Sequence, residues 1–72
     1  MNKHEFEITS ALNNHDDLTG YQISKFVKEN FRHTIGLGTL YLWLDRLNKS
    51  GVITRTKTAD NRFVYRLVRN KK

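Results

Sequence analysis

The stretch from Gly38 to Ile53 constrains this chain more than any other. It reads as one amphipathic helix, a glycine stop and the start of a strand. Leu37, Leu40, Leu44 and Leu47 recur at helical spacing and predict a buried stripe. At about 100° per residue, Thr39, Leu42, Arg46 and Lys49 fall on the opposite side. Tyr41 and Trp43 flank the stripe. Gly51 stands where a left-handed residue caps a helix, and Lys49 faces the negative end of the dipole. Such a helix hides leucines against a small core and turns Thr, Arg and Lys toward a polyanion.

The segments before it read as two further helices. The first covers about 4–13, with Phe6, Ile8, Ala11 and Leu12 as apolar positions and Glu5 and Glu7 near its positive end. Asn13 to Asp17 is a polar turn cluster that ends it. Thr19 and Gln22 have the spacing of a capping box, so a second helix runs over about 19–31. Ile23, Phe26, Val27 and Phe31 form its apolar face, and Lys25 and Lys28 lie away from it. Gly36 and Gly38 flank Leu37 at the entry to the third helix, 37–49.

After Gly51 the period changes to two. Residues 52–57 predict a strand rich in Val, Ile and Thr, and 62–68 its return. Thr58-Ala59-Asp60-Asn61 is the turn between them. Phe63, Tyr65 and Leu67 share one face; Arg62, Val64, Arg66 and Val68 share the other. Arg69 to Lys72 form a basic tail that frays. The order helix, helix, helix, strand, strand predicts a mainly α fold with a β-hairpin. That is a winged helix-turn-helix, expected as a single domain over 1–72, with the third helix in the major groove and the hairpin as wing.

Charge points the same way. Residues 1–36 hold four basic against five acidic side chains, a net −1, and residues 37–72 hold nine against two, a net +7. All the excess positive charge lies in the recognition helix, hairpin and tail, which suits a nucleic-acid face. The chain has 72 residues and no cysteine, so disulfides and thiolate metal sites are excluded. No run approaches the roughly 20 apolar residues of a membrane span, and the N-terminus lacks a signal-peptide core. The expected place is the cytoplasm, at the nucleoid.

Several of these segments resemble one family. Leu18-Thr19-Gly20-Tyr21-Gln22-Ile23 is similar to the opening of the second helix in PadR-like transcriptional regulators. Gly38-Thr39-Leu40-Tyr41, then Leu44, Arg46, Leu47 and Gly51-Val52-Ile53, resembles that family's recognition helix and turn into the wing. Arg62, Tyr65, Arg66 and Leu67 resemble its return strand. The resemblance runs from about 8 to 68. It implies a DNA-binding repressor, usually a homodimer on a palindromic operator. It also implies that Thr39 and Tyr41 touch DNA and that Tyr21 lies near the backbone. Leu42 stands in place of the family's usual proline, Trp43 in place of its leucine, and Asp45 where a basic or polar residue is common. PadR-like proteins usually carry dimerising helices after the wing. This sequence stops at Lys72, so the expectation is a minimal form without them. Any homodimer would then be weak or DNA-assisted, formed through the first helix (Phe6, Ile8) or Trp43.

The candidate DNA contacts are Tyr21 and Lys25 on the second helix, and Gly38, Thr39, Tyr41, Leu42, Arg46 and Lys49 on the third. Arg55, Lys57, Asn61 and Arg62 complete the set on the hairpin. Arg46 and Lys49 suit guanine edges or phosphates. Leu42 suits a thymine methyl or a protein interface. Asp45 either accepts from a cytosine amino group or pairs with Lys49 one turn on. Arg55, Lys57 and Arg62 suit phosphate or minor-groove contact. His4, His15 and His33 lack metal-ligand spacing and read as surface or loop residues. Ser10, Ser24 and Ser50 belong to no nucleophile constellation, and Asp16 and Asp17 read as turn residues. Neither enzyme activity, cofactor nor small-molecule effector is expected. The leading function is sequence-specific binding of double-stranded DNA in transcriptional repression. The alternatives are a winged-helix protein-interaction module, using Tyr41, Leu42 and Trp43, and an architectural or plasmid-maintenance DNA-binding protein of low specificity.

Overall fold

A computed structural model describes residues 2–68. The basic tail from Arg69 lies outside the described residues. The elements are α1 (Lys3–Asn14), α2 (Gly20–Phe31), α3 (Leu37–Lys49), β1 (Ile53–Lys57) and β2 (Phe63–Leu67). Three helices followed by a two-stranded antiparallel hairpin make a winged helix.

Local chemistry sets the helix ends. The Asn2 side chain accepts from the His4 amide and starts α1. At α2 the capping box is complete: the Gln22 amide donates to Thr19 Oγ1 at 3.2 Å, and the Thr19 amide donates to Gln22 Oε1 at 2.9 Å. Helix α3 starts at Gly36 with no side-chain cap. It ends in a Schellman motif. Gly51 takes φ 84°, its amide donates to Asn48 O, and the Val52 amide donates to Leu47 O.

Ile8, Ala11 and Leu12 from α1, Ile23 and Val27 from α2, and Leu40, Leu44 and Leu47 from α3 meet in one core. Ile53 and Tyr65 close it from the hairpin, and Ile35 closes it from the α2–α3 connection. Fully burying a side chain such as Leu44 stabilises by roughly 1.5–3 kcal/mol, a large share of the margin in so short a chain.

Three expectations are corrected here. Leu37 is 59% exposed, not part of the stripe. It is the first residue of α3, and helical side chains lean toward the N-terminus, so it leans past the helix start; Ile35 takes the core position at that end. Ile8 is buried in the core and offers no surface to a partner copy. Glu7 lies beyond the first turn of α1, where Glu5 stands, and is buried. His4 and His33, both partly exposed, are hydrogen-bonded to it. Phe26 and Phe31 pack half-buried at the rim of the core, with Phe6 set edge-on against Phe31 at 5.9 Å between ring centroids.

The strands are each shorter than expected, beginning at Ile53 and Phe63 and ending at Lys57 and Leu67. Their register pairs Ile53 with Leu67, Arg55 with Tyr65 and Lys57 with Phe63 on one face, and Thr54 with Arg66 and Thr56 with Val64 on the other. Leu18 adds a third, single-residue rung, exchanging both backbone hydrogen bonds with Tyr65 at 3.2 and 2.8 Å. Beside it Asp17, at φ 62°, accepts from Arg66 Nε at 3.2 Å and Nη2 at 2.8 Å. The hairpin is therefore tied to the α1–α2 connection by backbone and by a forked ion pair.

Candidate nucleic-acid interface

The core face of α3 decides what its other face shows. With Leu40, Leu44 and Leu47 turned inward, Gly38, Thr39, Tyr41, Leu42, Arg46 and Lys49 are all exposed. Lys49 pairs with Asp45 at 3.2 Å, one turn earlier, the intrahelical pairing that their spacing predicts. The Arg46 guanidinium lies over the Trp43 ring, 5.1 Å from its centroid. Trp43 itself is half-buried against the core and 6.4 Å from the His4 ring of α1.

Tyr41 leans the other way, toward α2. Its ring lies over Gly20, where a Cβ would come within 2.7 Å of Tyr41 Cζ. Glycine is the residue that admits this approach. A groove of about 840 Å3 runs between α2 and the hairpin, and Tyr21, Lys25, Tyr41 and Arg62 line it together with Phe63 and Tyr65. Candidates from all three elements thus meet in one place.

The hairpin carries its cations on the face that continues from the core. Arg55 and Lys57 share that face with Tyr65 and Phe63 through the strand register. Arg55 lies over the Phe63 ring at 4.5 Å and Lys57 at 5.9 Å. Both cations are therefore held at a half-exposed aromatic, which fixes their stems and leaves charge at the rim. Phe63 was not among the candidates. The alternation that sets it beside Tyr65, and its place opposite Lys57 in an antiparallel hairpin, are the signals that find it. Burial first, and Tyr41 second, push the Tyr65 phenol above its ordinary range, while Arg55 pulls it back.

The turn orders the remaining two candidates. Asn61 adopts φ 64° and donates its amide to Thr58 O, a type I turn followed by a left-handed residue. The Thr58 hydroxyl donates to Asp60, and this bond, ahead of the nearby Arg62, lowers the Asp60 carboxyl below its ordinary range. Arg62 Nε lies 3.5 Å from Asp60. Arg66, by contrast, is committed to Asp17 on the far face, and the Asp17 hydrogen bonds raise its pKa further. No group of three His, Cys, Asp or Glu side chains is arranged to hold a metal ion among the described residues. No helix is long and apolar enough to cross a membrane among them.

An exposed polar helix face, a basic aromatic hairpin beside it and a groove joining both to α2 form a surface complementary to a charged, grooved polymer. Comparison with known proteins agrees with that architecture. No curated protein matches the chain in sequence. The crystal structure of the Vibrio cholerae ferric uptake regulator (Fur) is similar in fold, with a TM-score of 0.85 at 19% identity. That similarity covers 100% of this chain and 56% of the Fur chain, so this chain spans little more than half of that regulator's length. The model of the transcriptional regulator PadR-like family matches residues 4–70, and the chain belongs to that family.

Proposed function

We propose that this protein is a sequence-specific repressor that reads the major groove of double-stranded DNA with α3 and lays its β1–β2 hairpin on the adjacent backbone as a wing. The observation that carries this reading is the convergence of Tyr21, Lys25, Tyr41 and Arg62 on one groove, flanked by the Arg55–Phe63–Lys57 face. Family membership supports DNA binding in transcriptional regulation. In the finer reading Arg46, Thr39 and Leu42 meet base edges, Lys49 meets a base edge or phosphate, and Tyr21, Lys25, Arg55, Lys57 and Arg62 meet phosphates. Gly38 lets the backbone approach, and Asn61 holds the turn. Two copies pair on DNA through the Phe6 side of α1, which stays 52% exposed.

Titration of selected and random duplexes at two salt concentrations tests this. If one copy neutralises about five phosphates, the log–log slope is roughly −4 to −5. Preference for the selected duplex with that slope supports the reading. Equal binding to every duplex favours a low-specificity architectural protein. Absence of binding at low salt favours a protein-interaction module that uses the exposed Tyr41 and Leu42.

A further inference from the structure

Glu7 is the one charged side chain that is buried among the described residues, at 2% exposure. Its carboxylate is bracketed by two imidazoles. His33 Nε2 lies 2.5 Å from Oε2, and His4 Nδ1 lies 3.4 Å from Oε1. The His4 and His33 rings are 6.2 Å apart, and both are partly open to solvent. Around the carboxylate, α1 contributes His4 and the α2–α3 connection contributes His33; on α3 the Trp43 ring lies 6.4 Å from the His4 ring and carries the Arg46 guanidinium.

The location matters as much as the chemistry. His33 sits four residues before Leu37, where α3 begins. Helices α1 and α2 are each started by a side-chain cap, whereas α3 starts at Gly36 with none. The anchors on that connection are Ile35 in the core and the His33–Glu7 contact to α1. A carboxylate out of water requires a counter-charge. An imidazole changes charge between about pH 5 and 8. With His33 protonated, the buried carboxylate has its counter-ion and the connection is pinned to α1. With His33 neutral, that charge is lost and the pin weakens.

We propose that Glu7 and His33 form a proton-dependent positioning pair for α3, so that the pose of the recognition helix, and with it DNA affinity, responds to pH. This rests on α3 being the DNA-reading element. The test compares the full chain, Glu7→Gln and His33→Gln at pH 6 and pH 8, at fixed ionic strength, by titration of the selected duplex and by thermal unfolding. Glu7→Gln keeps all three histidines, so it carries the general gain of positive charge on acidification. The affinity ratio between pH 6 and pH 8 should be about fivefold larger in the parent than in either variant, the low end of coupling between sites. The parent's unfolding midpoint should fall from pH 6 to pH 8, and that fall should shrink in both variants. Should Glu7→Gln fail to fold, the half-exposed His33→Gln carries the same comparison. Equal affinity ratios in parent and variants overturn the proposal, including the case where only the unfolding midpoint responds. If no duplex binds at any pH, the proposed function fails. The unfolding arm then still decides whether the pair senses protons.

Discussion

The ring of Tyr41 occupies the space over Gly20 that a side chain would fill, so the start of α2 and the exposed face of α3 share one contact. Gly20 is buried, and Tyr41 is 48% exposed. A half-exposed ring can swing aside, so overpacking here displaces Tyr41 rather than disrupting the core. Gly20→Ala should therefore leave stability within about 1 kcal/mol, since the helix-propensity gain from alanine offsets part of the cost. DNA affinity should drop to the level of Tyr41→Ala. In the Tyr41→Ala background, adding Gly20→Ala should change affinity no further. Urea denaturation and duplex titration of the double-mutant cycle check this, and additive losses would show that the two residues act separately.

The division between α3 and the wing makes a second prediction. Arg46 is exposed on α3 and held over Trp43, whereas Lys57 is held over Phe63 on the hairpin. Base-edge contacts carry sequence information and phosphate contacts do not. Arg46→Ala should cost about 1–3 kcal/mol on the preferred site and less on random duplex. Lys57→Ala should weaken every duplex alike and reduce the salt slope by about 0.9. If both variants erode specificity to the same degree, the assignment of helix and wing is wrong.

Much of this surface was legible in the sequence because it rests on short-range rules. The Thr19–Gln22 capping box, the Gly51 cap and the Asp45–Lys49 pair each involve residues within a turn of one another, and each is found in place. The leucine stripe is legible for the same reason from Leu40 onward; Leu37 departs from it because it is the first residue of α3 and leans past the helix start, which periodicity alone does not locate. Contacts between distant residues left no local trace. His33 meets Glu7 across 26 positions, and Arg66 meets Asp17 across 49. The Leu18 rung on Tyr65 is a single residue and has no strand periodicity to announce it. Composition marked the second half as basic, but only the register shows that Arg55 and Lys57 share a face with Phe63.

The turn offers a third test through pH. Asp60 is exposed, yet the Thr58 hydroxyl holds its carboxyl below the ordinary aspartate range. A lowered folded-state value means that the ordering contribution is present above the unfolded value and is lost as pH falls through the folded one. A carboxyl-detected NMR titration should find Asp60 protonating below an ordinary aspartate. Thr58→Ala should return it toward the ordinary aspartate range. The Arg62 amide, which donates to Thr58 Oγ1 at 3.2 Å, should report the same transition. An Asp60 titration unchanged by Thr58→Ala would assign the shift to the backbone hydrogen bond at Asp60 and to Arg62 instead.

The fourth prediction concerns the proposed pairing of two copies on DNA. A single recognition helix and wing cover only a few base pairs, and specificity is commonly reached by two modules on half-sites about 34–36 Å apart. With Ile8 in the core, Phe6 is the large apolar side chain that α1 leaves exposed, set edge-on against Phe31. Pairing there would complete the burial of one half-exposed aromatic side chain per copy, at most about 1.5–3 kcal/mol each, too little for a tight dimer in free solution. On DNA the second copy is already close, so the same contact acts at high effective concentration. Binding to a two-half-site duplex should therefore be cooperative while the free protein sediments mainly as a monomer. Phe6→Lys should abolish the cooperativity and leave single-half-site affinity within about twofold, because Phe6 lies outside the groove that α2, α3 and the hairpin line. Circular dichroism of the variant establishes that α1 is intact. Equal per-site affinity on one- and two-half-site duplexes in the parent would rule out pairing through this face.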